Sequence, residues 1–411
     1  MADTRTMFTN GVVFDGTGTA PVPADVVVAG ERIIAIGSGL DGDEAVDLGG
    51  GALLPGLFDC HVHVMFSHVN IWELLQTPFS YQFYVAERNL GLTLDTGITT
   101  VRDAGGADLG VKQAVADGLV RGPRMQISIS MLSQTGGHGD GWMASGQAVK
   151  LLQEHPGRPG ALVDGEVEVR RKVRELARAG ADVIKVATSG GVLSPRDDPR
   201  HAHFRQDELD ALVEEARAAG LWVMAHAQAS DGIKGAIRAG IRSIEHGIYL
   251  DDEAIEMMLE HGTYLVPTLV APTGVIEAFE AGAAIPAASV RKAREVVEAH
   301  RDSFRRAVAA GVEVAMGTDS AVTPHGRNLA ELPLMEAGGM QPAEVLVATT
   351  RTAAELLGVA DELGTIEAGK RADLVVIDGD PFDLADLGSR VRAVYQDGVL
   401  VSRGQAAVRA E

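Results

Sequence analysis

Between residues 56 and 360 the chain repeats one theme: a short apolar run, then a longer amphipathic stretch, then another run. The apolar runs fall at 57–64, 99–104, 125–130, 183–187, 222–227, 243–247, 264–269 and 312–318. Between several of them apolar residues recur at helical spacing, as in Val167–Arg178, Gln206–Ala219 and Ser289–Ala310. A glycine follows each of these three, at 180, 220 and 311, where a helix commonly stops. Eight strands alternating with helices predict a parallel sheet closed into a (β/α)8 TIM barrel. The competing arrangement is a doubly wound open sheet. No Gly-x-Gly-x-x-Gly follows the first run, which weakens its dinucleotide-binding version.

The two ends read differently. Gly11–Asp15, Asp25–Ala29, Arg32–Ile36 and Ala52–Leu54 are β-branched runs separated by Gly and Pro. Gly364–Asp378 and Val391–Val401 have the same character. Together they predict one small β-sandwich domain built from both termini, residues 1–55 plus 361–411, beside a barrel of residues 56–360.

Composition narrows the function. A net charge of −21 and an aromatic content of 4% argue against a nucleic-acid partner. A single cysteine, Cys60, excludes an intrachain disulfide framework and a thiolate-rich zinc site. No stretch approaches 18 uninterrupted apolar residues, so no membrane span is expected. The first ten residues lack a basic start followed by an apolar core, and the expected location is cytoplasmic.

Barrel active sites form at the C-terminal ends of the strands, so polar side chains there carry the chemistry. The first run lies in Leu54-Pro-Gly-Leu-Phe-Asp-Cys-His-Val-His-Val64, where His61 and His63 alternate and therefore share a face. The fourth run places Lys185 inside Ala181-Asp-Val-Ile-Lys-Val-Ala187. The fifth ends at His226, the sixth at His246 and the eighth at Asp319. Taken singly, each has an ordinary structural explanation: a satisfied polar residue, a buried ion pair, a turn or helix cap. Nitrogen and oxygen ligands at five strand ends together predict a metal site.

This arrangement resembles the amidohydrolase superfamily. More closely, the chain is similar to the metal-dependent dipeptidase and carboxypeptidase branch, with its Xaa-Pro dipeptidase (prolidase)-like and ochratoxin-hydrolysing members. The shared stretches are Thr99–Gly106, Thr135-Gly-Gly-His-Gly-Asp140, Ala181–Val192, Ser243-Ile-Glu-His-Gly247 and Tyr264-Leu-Val-Pro-Thr268. The resemblance implies two divalent metal ions, with zinc the first expectation and manganese, cobalt or iron also fitting. It implies that His61, His63 and Asp319 hold one ion, that His226 and His246 hold the other, and that a carbamylated Lys185 bridges both. A metal-bridging hydroxide would attack the amide of a small dipeptide or N-acyl-amino acid, and Asp319 would act as catalytic base and then acid.

His138, in the glycine-rich loop after the third run, is assigned by the resemblance to catalysis and substrate binding. His325, after the eighth run, is expected at the mouth of the site. Arg196, His201 and His203 lie in the loop after the fourth run and read as surface residues. One departure stands out. Relatives often carry Tyr or His shortly after the fifth-strand histidine, whereas this chain has Gln228, which can donate to a carbonyl but cannot titrate. Two enzymatic readings compete with the amidase: hydrolysis of a cyclic amide or imidazolone, and deamination of a ring. A non-catalytic scaffold is a third. Deaminases of this superfamily generally use one metal and lack the bridging lysine, so Lys185 favours the amidase. The family habit also implies a homo-oligomer.

Overall fold

The computed structural model describes residues 4–194 and 196–404. Two parallel sheets form its centre. One has three strands, Leu57–Val62, Ile98–Asp103 and Arg124–Ile127, with the middle one flanked by the other two. The second has five, Met131–Leu132, Val183–Ala187, Trp222–Ala227, Ser243–His246 and Tyr264–Val266, in chain order. The connecting segments carry helices, among them Gly165–Arg178, Gln206–Ala218, Ser230–Ala239 and Asp252–His261. Parallel strands joined by helices are buried on both faces, which is why their side chains are so uniformly apolar.

Two of the eight expected strands depart from regularity. The run at 125–130 breaks after Ile127 and resumes at Met131, because Ile129 adopts a left-handed backbone (φ 67°). That bend carries one chain segment from the first sheet into the second. The run at 312–318, with its continuation to Ser320, forms isolated bridges, Val314 with Leu265 and Ser320 with Val62, instead of a ladder. It still bonds on both sides: Leu265 N–H donates to the Glu313 carbonyl (2.9 Å) and Cys60 N–H to the Met316 carbonyl (2.9 Å). The two sheets are thus linked at both pairs of edges.

Residues from both ends of the chain share a six-stranded sheet, in the order Val399–Ser402, Val391–Gln396, Leu374–Ile377, Ala52–Pro55, Val12–Val13 and Val22–Pro23. A four-stranded sheet has the order Arg32–Gly37, Asp25–Ala29, Arg5–Thr9 and Glu44–Asp47. Phe8, Val26, Val28 and Ile33 of the smaller sheet pack with Leu53, Leu374, Val376 and Tyr395 of the larger in one apolar cluster. Among the described residues no helix is long and apolar enough to cross a membrane.

The terminal sheet runs straight into the strand that carries His61 and His63. The junction is Gly56, whose N–H donates to the Asp373 carbonyl (2.7 Å). A Cβ there would stand 2.2 Å from Thr99 Oγ1 and 2.9 Å from Asp373 Cβ. Only glycine lets the strand pass so close to both neighbours. Gly56→Ala is therefore expected to lower stability by about 1–3 kcal/mol through overpacking, read as a fall in the thermal unfolding midpoint.

Candidate active site

The centre of the site is set by the first strand. His61 and His63 project to the same face, and Asp319 approaches from the 312–320 segment. One ligand atom from each of the three lies within 4.8 Å of the others. Asp319 Oδ1 is 3.3 Å from His63 Nε2 and 3.6 Å from His61 Nε2. Burial alone would raise the Asp319 carboxyl, but the His63 bond and the nearby imidazoles carry it well below the usual carboxylate range. Asp59, four residues before His63, is fully buried and anchors this arrangement. It accepts bonds from Asn328 Nδ2 (2.8 Å), Thr318 Oγ1 (2.7 Å), Thr318 N–H (3.1 Å) and His61 N–H (3.1 Å).

His226 and His246 join from neighbouring strands, whose register pairs Ala227 with His246. The His61 and His246 ring centroids are 5.1 Å apart, and those of His226 and His246 are 4.6 Å apart. All four histidines share one feature: one ring nitrogen is already held by the protein. His61 Nδ1 meets Glu245 Oε2 (2.7 Å), His63 Nδ1 the Gly105 carbonyl (2.7 Å), His226 Nε2 the Gly190 carbonyl (3.1 Å) and His246 Nδ1 the Thr268 hydroxyl (2.7 Å). Such outer partners fix the tautomer and ring orientation of metal-binding imidazoles. Burial first, and then nearby positive charge, lowers His61 to about 4 and His226 and His246 well below their ordinary value. Neutral rings are what a metal ion requires.

Lys185 is 1% exposed, and its charge acts on His61, His226 and His246. Its Nζ has no hydrogen-bond partner among the described residues. Burial, only partly offset by Glu245 and Asp319, lowers the amine to about 8. A buried, unpartnered ammonium is unfavourable by itself. A group added to that nitrogen would supply the missing partners.

The sequence reading did not anticipate the support beneath His61. Glu245 is wholly buried and bonded to Arg102 Nη2 (2.9 Å), the Ser243 hydroxyl (2.6 Å) and His61 Nδ1. Arg102 Nε also donates to the Cys60 carbonyl (2.8 Å). Burial pushes the Glu245 carboxyl up, but Arg102 and His61 outweigh it and bring it to about 2. The available signal was a charged residue inside each of two apolar runs.

A cavity of about 410 Å³, including space open to solvent, lies over these residues. His138, His226, Gln228, His246, Thr268, His300 and Asp319 give it a polar side. Val192, Leu193, Ile248, Ala271, Val275 and Val322 give it an aliphatic one. His138 stacks on His226, with ring centroids 4.1 Å apart and planes 13° apart. His300, from the helix Ala287–Ala310, was not anticipated; its Nε2 bonds the His246 carbonyl (2.9 Å). His325 is placed differently from the sequence expectation. It does not line the cavity; Thr93 Oγ1 (3.2 Å) and the His63 carbonyl (3.2 Å) engage its two ring nitrogens. It supports the backbone of His63 from behind. Arg196 lies over the Trp142 ring and is exposed, whereas His203 is buried.

Comparison with known proteins agrees with this geometry. The amidohydrolase family model matches residues 52–402. The chain belongs to the amidohydrolase family. With it comes membership of the hydrolases that act on C–N bonds. The ochratoxinase of Aspergillus niger is 37% identical over 347 residues, covering 80% of this chain and 71% of the relative. A Xaa-Pro dipeptidase solved with methionine in its active site superposes with a TM-score of 0.88 at 34% identity, over 98% of this chain and 100% of that one. A prolidase solved with N-methylphosphonate-L-proline has a TM-score of 0.89 at 38% identity, over 97% and 100%.

Arg102→Met would leave Glu245 a buried carboxylate without its cation. It is expected to cost about 3–5 kcal/mol of stability, measured by denaturant unfolding. The pH dependence has a definite sign. The folded Glu245 value lies below its unfolded one, so its contribution is complete above about pH 4.5 and is lost as pH falls toward about 2. The variant is expected to lose that acid-side dependence.

Proposed function

We propose that this amidohydrolase cleaves the amide bond of a small dipeptide or N-acyl-amino acid at a dinuclear metal site. The scaffold is read as a (β/α)8 barrel of residues 56–360, its ring completed by the 312–320 segment. The terminal sheets, within 4–55 and 361–404, form a β-sandwich beside it; residues 1–3 and 405–411 of the expected domain lie outside the described residues. The observation that carries the reading is the partnerless Lys185 amine, whose charge acts on His61, His226 and His246, together with four histidines that each have one ring nitrogen already committed.

The residues fit the metals the family implies. His61, His63 and Asp319 would hold one divalent ion, His226 and His246 the other, and a carbamate on Lys185 would bridge them, with zinc the first expectation. When bound, the ions supply an acidified water and polarise the scissile carbonyl. Asp319 then accepts the proton of the attacking water on its carboxylate and delivers it to the departing amine nitrogen. His138 lines the cavity, and its second ring nitrogen would donate to the substrate carbonyl as negative charge develops on it. The Gln228 amide lines the same wall and bonds the substrate without titrating. The aliphatic wall excludes water and covers an apolar substrate group. Ochratoxinase and the Xaa-Pro dipeptidase, as relatives, favour an amino-acid amide over a ring substrate.

The discriminating measurement is metal content with and without Lys185. The parent protein is expected to hold close to two ions per chain and to lose turnover on chelation. Lys185→Ala is expected to hold at most one ion and to lose roughly 1,000-fold or more in kcat/KM, with partial rescue by short carboxylic acids. One ion per chain in the parent would favour a deaminase, and none a scaffold. Full Lys185→Ala activity without added acid would exclude the carbamate. Released amine from Xaa-Pro, Xaa-Arg and N-acyl-amino acid panels identifies the substrate.

A further inference from the structure

Resting on the hydrolase reading, we propose that Asp197 is a positioning residue for His138, and that Lys292 latches the loop that brings the two together. Asp197 lies in the 190–203 loop after the strand Val183–Ala187. Its side chain is 2% exposed, and Oδ2 stands 3.4 Å from His138 Nδ1. The Ser194 hydroxyl sits between them, 2.9 Å from the same Nδ1 and hydrogen-bonded to Asp197 Oδ1. Gly191 N–H donates to Asp197 Oδ2 (3.0 Å). Although burial disfavours the charge, His138, Ser194 and Lys292 hold the carboxyl at about 2, so it is ionised.

A carboxylate at one ring nitrogen of a histidine selects the tautomer protonated there and fixes the plane of the ring. The opposite nitrogen, Nε2, has no partner among the described protein residues and belongs to the ring edge available to a ligand. Two further contacts define the seat. His138 stacks on His226, and the backbone of Gly191 passes beneath it. A Cβ on Gly191 would lie 2.2 Å from His138 Cε1 and 2.5 Å from its Nδ1. Gly191 does not have a positive φ, so the reason for glycine here is the space the imidazole occupies.

Lys292 explains how a loop can hold such a seat. It comes from the helix Ala287–Ala310, is 7% exposed, and inserts its Nζ among four acceptors of the loop. These are the carbonyls of Gly191 (2.6 Å), Ser194 (2.7 Å) and Asp197 (3.0 Å), and Asp197 Oδ1 (3.2 Å). One ammonium thus fixes the backbone of the two residues that contact His138 and of the glycine beneath it. None of these residues reaches the cavity chemistry directly; they act through one ring.

The test is a set of double-mutant cycles, with metal content and thermal midpoint measured for every variant. Asp197→Asn keeps the shape and removes the charge; Gly191→Ala puts a methyl where the ring lies. Each is expected to lower kcat/KM by roughly 10- to 100-fold with metals retained. In a His138→Asn background each is expected to change it by less than about twofold. Losses that multiply fully in that background, or a Gly191→Ala protein with parental turnover, overturn the proposal. Nitrogen-15 spectra of labelled histidine give a reading independent of activity. The His138 Nδ1 signal, assigned by its loss in His138→Asn, is expected to move on Asp197→Asn, and a signal that stays put overturns the proposal. A parent protein that hydrolyses no amide would sink the hydrolase reading, while the spectrum still decides whether Asp197 sets the ring.

Discussion

The arrangement depends first on a charge kept out of water. Glu245 has no solvent exposure, and it remains ionised because Arg102, Ser243 and His61 surround it. Removing Arg102 leaves a buried carboxylate without its cation. That penalty locks three strands in register at the level of the histidine cluster, since Arg102, Glu245 and His61 each come from a different one. The apolar packing around them supplies stability without preferring one histidine orientation; the ion pair supplies the preference.

Backbone strain marks the same place. His246 (φ 73°), Thr268 (φ 54°) and Asp319 (φ 58°) all take the left-handed conformation that side chains other than glycine disfavour. Each sits at the end of a buried run, and each lines the cavity. Strain of this kind, about 1–3 kcal/mol per residue, persists where surrounding structure overdetermines the backbone. Here the bonds that Thr318 donates to the Asp59 carboxylate, and the bond between His246 and the Thr268 hydroxyl, do so.

Much of this was legible in the sequence because it depended on local pattern. Alternation of apolar runs with helical spacing named the strands, and the polar residues at their ends named His61, His63, Lys185, His226, His246 and Asp319. What escaped depended on contacts between distant parts of the chain. Glu245 and Arg102 meet only because the sheet places their strands side by side. Nothing local to Asp197 reports its contacts with Lys292 and His138. The irregularities at Ile129 and in the 312–320 segment are backbone choices that hydrophobic pattern does not encode. His325 was placed at the mouth because loop paths cannot be read from spacing; it turned back to hold the His63 carbonyl.

The six-stranded terminal sheet also carries an order of events. Ala52–Pro55 pairs on one side with Val12–Val13 and on the other with Leu374–Ile377. During synthesis the second partner is absent until all the intervening residues have been made, so an apolar strand edge stands open in the meantime. An open edge is a template for pairing with another molecule. The strand that waits there leads, through Gly56, directly into the one bearing His61 and His63. Assembly of the site is therefore coupled to the latest-made part of the described chain, and unfinished chains would carry both an exposed edge and an incomplete site.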